Sequence, residues 1–305
     1  MKTIVIHEVG PRDGLQIEKS VIPTATKIAW VETLIGSGVD VVQLGSFVNP
    51  ERVPQMADTE QLFLHFTAPG RTRSHAAFSA LVLNEKGLDR GFACGVDYFC
   101  MGVSASDTHS RKNTGMSTDE ALNRITGMAK RASAAGAKVQ VSVQSAFGCG
   151  YEGRVPPKNV LRIVDHYLDA GLTMISLADT AGHANPSQVE DLFGTIHDLA
   201  PNVVSACHFH DTYGLALANC YAAFRAGVTS FDSAVAGLGG CPFTAVSGGN
   251  VATEDLVHML QRMDLRHDIN LDTLTAAAKK AEEFLGRALP GKIHVTGPVP
   301  ELAPV

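Results

Sequence analysis

The sequence predicts an α/β protein, a closed barrel of eight βα units with a small C-terminal helical extension. Three observations carry that expectation. Short β-rich runs alternate with longer amphipathic runs about every thirty residues, the length of one βα unit. Most of the β-rich runs are continuously apolar, as parallel strands covered on both faces must be. Polar clusters follow these runs one after another, where a barrel gathers its chemistry.

The strand candidates are residues 3–9, 40–46, 74–80, 97–103, 138–145, 174–178, 203–209 and 230–235. Helical patterns fill residues 24–35, 117–135, 157–170, 187–199, 214–226 and 253–263 between them. Gly38, Gly136, Gly171 and Gly227 each precede a strand, repeating one helix–glycine–strand arrangement. No Pro/Ser-rich tract divides the chain, so residues 1–305 read as one domain, with the barrel over about 1–265 and helical extension and tail over about 266–305. An open doubly wound sheet is the alternative for any such alternation. The polar ends decide against it, because Arg12-Asp13, Gln43, Asp179-Thr180, His208 to Asp211 and Gly237 to Cys241 would all open on one mouth.

Composition narrows the function classes. The chain of 305 residues is 45% hydrophobic, enough for a sizeable core. Its 25 Lys+Arg against 31 Asp+Glu give net −6 with no basic run, so nucleic acid is not the expected partner. Six cysteines without a CxxC pair fit reduced thiols. No apolar stretch reaches bilayer length and no targeting segment is legible, so no membrane partner and a cytoplasmic location are expected.

His208 and His210 lie two apart at a strand end, which turns both imidazoles to one side. An isolated HxH is at least as often a hydrogen-bonded pair as a metal grip. Asp13 after strand one and Asn250 after strand eight can add oxygen ligands, because strands one, seven and eight become neighbours when the sheet closes. Two nitrogens and two oxygens suit Mg²⁺ or Mn²⁺, with Zn²⁺ as the alternative. Arg12 beside Asp13 reads otherwise as a surface ion pair, and Cys241, in a glycine-rich stretch, otherwise as a buried small hydrophobe.

The chain resembles the 3-hydroxy-3-methylglutaryl-CoA lyase family of the DRE-TIM metallolyases. The resemblance rests on Glu8-Val-Gly-Pro-Arg-Asp-Gly-Leu-Gln-Ile-Glu18, Ser46-Phe-Val-Asn-Pro50, Val53-Pro-Gln-Met56, His208-Phe-His-Asp-Thr-Tyr-Gly214, Ala234-Val-Ala-Gly-Leu-Gly-Gly-Cys-Pro242 and Gly249-Asn-Val-Ala-Thr-Glu-Asp255. It implies that Asp13, His208, His210 and Asn250 hold a divalent cation, that Arg12 faces the substrate carbonyl, and that Cys241 lies in a mobile catalytic loop. Asp179 matches a further active-site acid, and Gln16, Gln43, Thr180 and Gly239 are expected around the substrate. Lys112 and Asn113, in a long loop after strand four, are expected to meet the coenzyme A arm.

The implied reaction is retro-Claisen cleavage of an acyl-CoA to acetyl-CoA and a keto acid. His208 or Asp13 would take the C3 hydroxyl proton, Arg12 would clamp the thioester oxygen, and Cys241 would protonate the enolate carbon. Family barrels often pair through helical faces, so a homodimer is the implied assembly. Gln43 departs from the family, which usually has a glutamate there, and it removes one negative charge near Arg12 and the cation. Gly45 reads either as extra room beside the site or as a close packing contact. A Claisen synthase or aldolase, a lyase for another 3-hydroxyacyl-CoA, and a non-catalytic ligand-binding barrel are the competing readings.

Overall fold

A computed structural model describes residues 4–70, 74–240 and 248–300. Eight parallel strands close on themselves in sequence order: β1 (Val5–Glu8), β2 (Val41–Ser46), β3 (Ala77–Leu81), β4 (Tyr98–Ser104), β5 (Lys138–Gln144), β6 (Met174–Asp179), β7 (Val204–Phe209) and β8 (Ser230–Ser233). Closure is made by β1 on β8, in register from Val5 opposite Ser230 to Glu8 opposite Ser233. All eight expected strands are present. The third starts three residues later than its sequence pattern suggests, because Ser74 Oγ accepts from Ala76 N in a turn and the ladder begins with Ala77 N donating to Asp40 O.

The helices are α1 (Thr24–Ser37), α2 (Thr59–Phe66), α3 (Glu85–Ala93), α4 (Asp107–Thr114), α5 (Thr118–Ala134), α6 (Pro157–Asp169), α7 (Pro186–Leu199), α8 (Ala216–Arg225), α9 (Thr253–Gln261), α10 (Leu271–Leu285) and α11 (Ile293–Thr296). Their starts are written in the sequence. Ser117 and Asn185 form capping boxes with Glu120 and Gln188, which satisfy amides that the first turn leaves unpaired. Their ends use the expected glycines, and Gly38 at φ +96° and Gly227 at φ +92° hold a left-handed conformation that a side chain disfavours. None of the helices among the described residues is long and apolar enough to cross a membrane.

Three helices lie outside the sequence expectation: α2, α3 and α4. The last corrects the placement of Lys112 and Asn113, which stand on a helix and not in a long loop. The segment Asp107–Thr114 has almost no apolar periodicity, yet Ser106 caps it by accepting from His109 N at 3.1 Å and Gly115 ends it at φ +76°. The C-terminal segment lies against the barrel: Phe284 of α10 meets Trp30 of α1 edge-on, ring centroids 5.5 Å apart. The barrel interior is partly polar. Tyr98 donates to Gln140 at 2.9 Å, and His7 Nε2 pairs with Ser79 Oγ at 2.7 Å, directly beneath the mouth.

Candidate active site

Arg12 and Asp13 are presented by a widened single turn over Gly10–Gly14, in which one carbonyl, Val9 O, receives the amides of Arg12, Asp13 and Gly14. Such π-type turns recur at functional sites because they rotate successive side chains out of helical register. Here Asp13 Oδ1 accepts from both Arg12 Nη1 and Gln16 Nε2, and Arg12 Nε donates to Gln43 Oε1. Gln43 is fully buried within β2. The arginine is thus gripped by one charged and one neutral oxygen side chain.

His208 is the penultimate residue of β7, and His210 follows the strand as the partner of an isolated bridge to Asn250. The two Nε2 atoms are 3.1 Å apart, and Asp13 Oδ2 lies 3.9 Å from His208 Nε2 and 3.6 Å from His210 Nε2. Asn250 Nδ2 donates to Asp13 Oδ2 at 2.8 Å and to Leu238 O at 2.9 Å, so the amide is fixed across the closure of the barrel. Gly239 closes over this group. A Cβ there would fall 2.3 Å from Asn250 Nδ2, and the backbone has φ +113°, so only glycine fits.

The residues fit a divalent cation. Asp13, His208 and His210 place one ligand atom each within 4.8 Å of one another, all buried. Among the described residues, Asn250 Oδ1 and His210 Nδ1 are buried without a hydrogen-bond partner, an arrangement that leaves an oxygen donor unspent beside the cluster. Burial opposes ionisation of Asp13, but the Arg12 guanidinium and the two imidazoles overcome it and hold the carboxyl far below the ordinary range. Imidazole, carboxylate and amide oxygen are all donors that divalent cations accept.

A layer beneath the cluster escaped the sequence reading. Asp232, in β8, stands 3.2 Å from His208 Nδ1 and 3.1 Å from His7 Nδ1. Despite its burial, those two imidazoles hold its carboxyl well below the usual range, and in turn His208 is raised against its own desolvation by Asp232 and Asp13. Such carboxylate–histidine pairs fix the tautomer that aims the other ring nitrogen outward. The signal was the strand run Ser230-Phe-Asp-Ser233, where alternation turns Ser230 and Asp232 inward while Phe231 enters the outer core.

A cavity of about 610 Å³ opens above this group, the size of a drug-like ligand site. Arg12, Asp13, Gln16, Gln43, Thr180, His208 and His210 all border it, and so do Lys112 and Asn113 of α4. Asp179 is placed differently. Both of its oxygens receive backbone amides, from His183 at 2.8 Å and Ala184 at 3.0 Å, and burial raises its carboxyl to about 6. Gly45 faces away from the cavity, where a Cβ would collide with Thr59 Oγ1 at 2.3 Å. Its glycine is a packing requirement of α2 on β2 and gives no room to a substrate. Cys241 lies outside the described residues. The other five cysteines are free and buried.

A closed eight-stranded barrel with a histidine–carboxylate cluster at the C-terminal mouth defines the metal-assisted barrel enzymes. The HMGL-like family model matches residues 3–280, and the chain belongs to that family as a carbon–carbon lyase. It is 40% identical over 292 residues to the hydroxymethylglutaryl-CoA lyase of Bacillus subtilis, covering 95% of this chain and 96% of that one. It is 39% identical over 305 residues to the (R)-citramalyl-CoA lyase of Chloroflexus aurantiacus, covering 98% and 96%. An HMG-CoA lyase from Acinetobacter baumannii, solved with coenzyme A and 3-methylmalate, superposes with a TM-score of 0.91 at 35% identity over 99% of this chain and 98% of that one.

Proposed function

We propose that this protein cleaves the C2–C3 bond of a 3-hydroxy-3-methylglutaryl-CoA-like thioester, giving acetyl-CoA and a keto acid, which is acetoacetate if the substrate is hydroxymethylglutaryl-CoA. The observation that carries the reading is the buried Asp13–His208–His210 cluster, with Asn250 fixed against it, beside Arg12 at the head of a cavity large enough for an acyl thioester. Asp13, His208, His210 and Asn250 are the residues assigned to hold a divalent cation, Mg²⁺ or Mn²⁺ by their donor chemistry. A divalent ion held there would supply Lewis-acid polarisation of the substrate's oxygen.

The chain's own groups do the rest. His208 or Asp13, which stand together at the head of the cavity, is the group assigned to take the C3 hydroxyl proton. As the C3 carbonyl forms, the C2–C3 bonding pair passes into the thioester enolate. Arg12, fixed at Nε by Gln43 and at Nη1 by Asp13, is assigned to face the charge on that oxygen. The sequence assigns to the Cys241 thiol the proton that C2 then receives. Asp179 is read as a scaffold for the turn after β6, since its oxygens are occupied by backbone amides.

Gln43 supports a second reading, that the substrate is citramalyl-CoA. That thioester carries its carboxylate on the carbinol carbon itself, one methylene closer to the cluster than in hydroxymethylglutaryl-CoA. A neutral side chain at position 43 tolerates the closer negative charge better than a carboxylate would. Both readings share acetyl-CoA and differ in the second product. Mass identification of acetoacetate or pyruvate from the two thioesters, with Mg²⁺ or Mn²⁺ present, separates them, and turnover of neither contradicts both.

A further inference from the structure

Ala236, fully buried just after β8, holds a left-handed conformation at φ +58° that a side chain disfavours. Such a residue persists only where its surroundings fix it, and here the partners of both its backbone groups come from later in the chain. Its N–H donates to Glu254 Oε2 of α9 at 3.0 Å, and its carbonyl accepts from Gly291 N at 3.0 Å. The other oxygen of Glu254 meets His294 Nδ1 at 3.0 Å, while His294 Nε2 meets Glu282 Oε2 of α10 at 3.2 Å. Glu254 and His294 are both buried. The hydrogen bond to Glu254 raises the imidazole against its own desolvation, and Glu282 adds to it. His294 thus ties α9 to α10 and keeps Glu254 aimed at the turn.

The same C-terminal segment packs on the turn directly. A Cβ at Gly291 would fall 2.4 Å from Glu254 Oε1 and 2.9 Å from His294 Nδ1, and one at Gly237 would fall 2.8 Å from Pro290 Cγ. Two residues past Ala236, the carbonyl of Leu238 accepts from Asn250 twice, from its backbone amide at 3.2 Å and from its side-chain Nδ2 at 2.9 Å. A shift at Ala236 is therefore passed to the carbonyl that orients the Asn250 amide. We propose that His294 is a positioning residue for the cation site: through Glu254 and the Ala236 turn it holds Leu238 O where that carbonyl fixes the side chain of Asn250. This inference rests on the divalent-ion reading above and adds to it a residue outside the ligand cluster.

The test uses the full chain, stripped of metal and titrated with Mn²⁺ by equilibrium dialysis. His294→Phe, which keeps a ring but no nitrogens, is expected to weaken Mn²⁺ binding about tenfold, the effect of losing a group that orients a metal ligand. His294→Gln, which can still donate to Glu254, is expected to return to within about threefold of wild type. Gly291→Ala, whose methyl would push the segment off Glu254, is expected to match His294→Phe. Val160→Ala, a core truncation in α6, controls for general loss of stability and is expected to stay within about twofold. Coupling between sites is reciprocal, so wild-type protein supplies a measurement that needs no variant: saturating Mn²⁺ should slow hydrogen exchange in peptides over residues 235–238 and 289–296. Mn²⁺ affinity within about twofold of wild type in either His294→Phe or Gly291→Ala, or exchange over 289–296 that Mn²⁺ leaves unchanged, overturns the inference alone. So does a loss in His294→Phe that His294→Gln does not recover or that Val160→Ala reproduces. A wild-type protein that binds no Mn²⁺ overturns the divalent-ion reading, and this inference with it.

Discussion

The carboxylate of Asp232 reaches Nδ1 of His208 at 3.2 Å, from the strand next to it in the closed sheet, and thereby aims His208 Nε2 at Asp13 and His210. The other oxygen of Asp232 is held by His7, which is held in turn by Ser79, so the orientation is set by a chain of three buried side chains inside the barrel. Asp232→Asn keeps the size of the side chain but weakens this hold. Metal affinity measured by equilibrium titration is expected to fall about 10- to 100-fold. An unchanged affinity would show that His208 needs no orienting partner.

Gln43 is the group most able to tune the acyl arm, because it binds Arg12 directly and borders the cavity. A carboxylate there would repel a substrate carboxylate more strongly the closer that carboxylate sits. Gln43→Glu is therefore expected to shift kcat/KM by about tenfold toward hydroxymethylglutaryl-CoA and away from citramalyl-CoA, a change of about 1.4 kcal/mol. A preference that stays put removes Gln43 from substrate selection.

Glu8 joins the end of β1 to the segment after β8. Its carboxylate accepts from Gly10 N at 2.7 Å, Val235 N at 3.0 Å and Thr253 Oγ1 at 2.5 Å. Burial outweighs those hydrogen bonds, with the Glu254 charge adding to it, and raises the group from 4.5 to about 7. A carboxyl whose folded value lies above its unfolded value contributes stability that is complete below about 4.5 and lost as pH rises through about 7. Glu8→Gln should flatten that decline, with a gain over wild type above pH 7 of ~3 kcal/mol at most. Denaturant titrations from pH 4 to 8 check it, and parallel curves for the two proteins would refute it.

Cys241 is assigned from the sequence to protonate the enolate carbon. Cys241→Ala should therefore lose turnover by about 100-fold or more while metal and coenzyme A affinities stay within about twofold of wild type. Full activity in that variant takes the thiol out of the reaction.

How much was readable without coordinates depended on periodicity and local chemistry. Eight strand-length runs and four glycines at helix ends give the βα alternation, since strands buried on both faces and left-handed helix stops leave distinct signatures, and the polar clusters at the strand ends decide for a closed barrel over an open sheet. The HxH spacing and the Arg12-Asp13 turn were legible because a strand end fixes the direction of its side chains. Asp232 and His7 were not, since each looks like one polar residue in a short strand until closure sets β1 beside β8. Helix α4 was missed for another reason: it is held by a cap and a glycine and carries no apolar stripe, so its pattern reads as a loop. Gly45 shows the converse. Its partner is Thr59, fourteen residues along the chain, and nothing near position 45 announces that contact.

Every role assigned above depends on a single divalent ion held among Asp13, His208, His210 and Asn250. Titrating the metal-stripped protein with Mn²⁺ by equilibrium dialysis, alongside the single variants His210→Ala and Asn250→Ala, tests it most directly. One tightly bound ion per chain is expected in wild type, with binding weakened at least tenfold in each variant. Wild-type stoichiometry and affinity retained in both variants would contradict it.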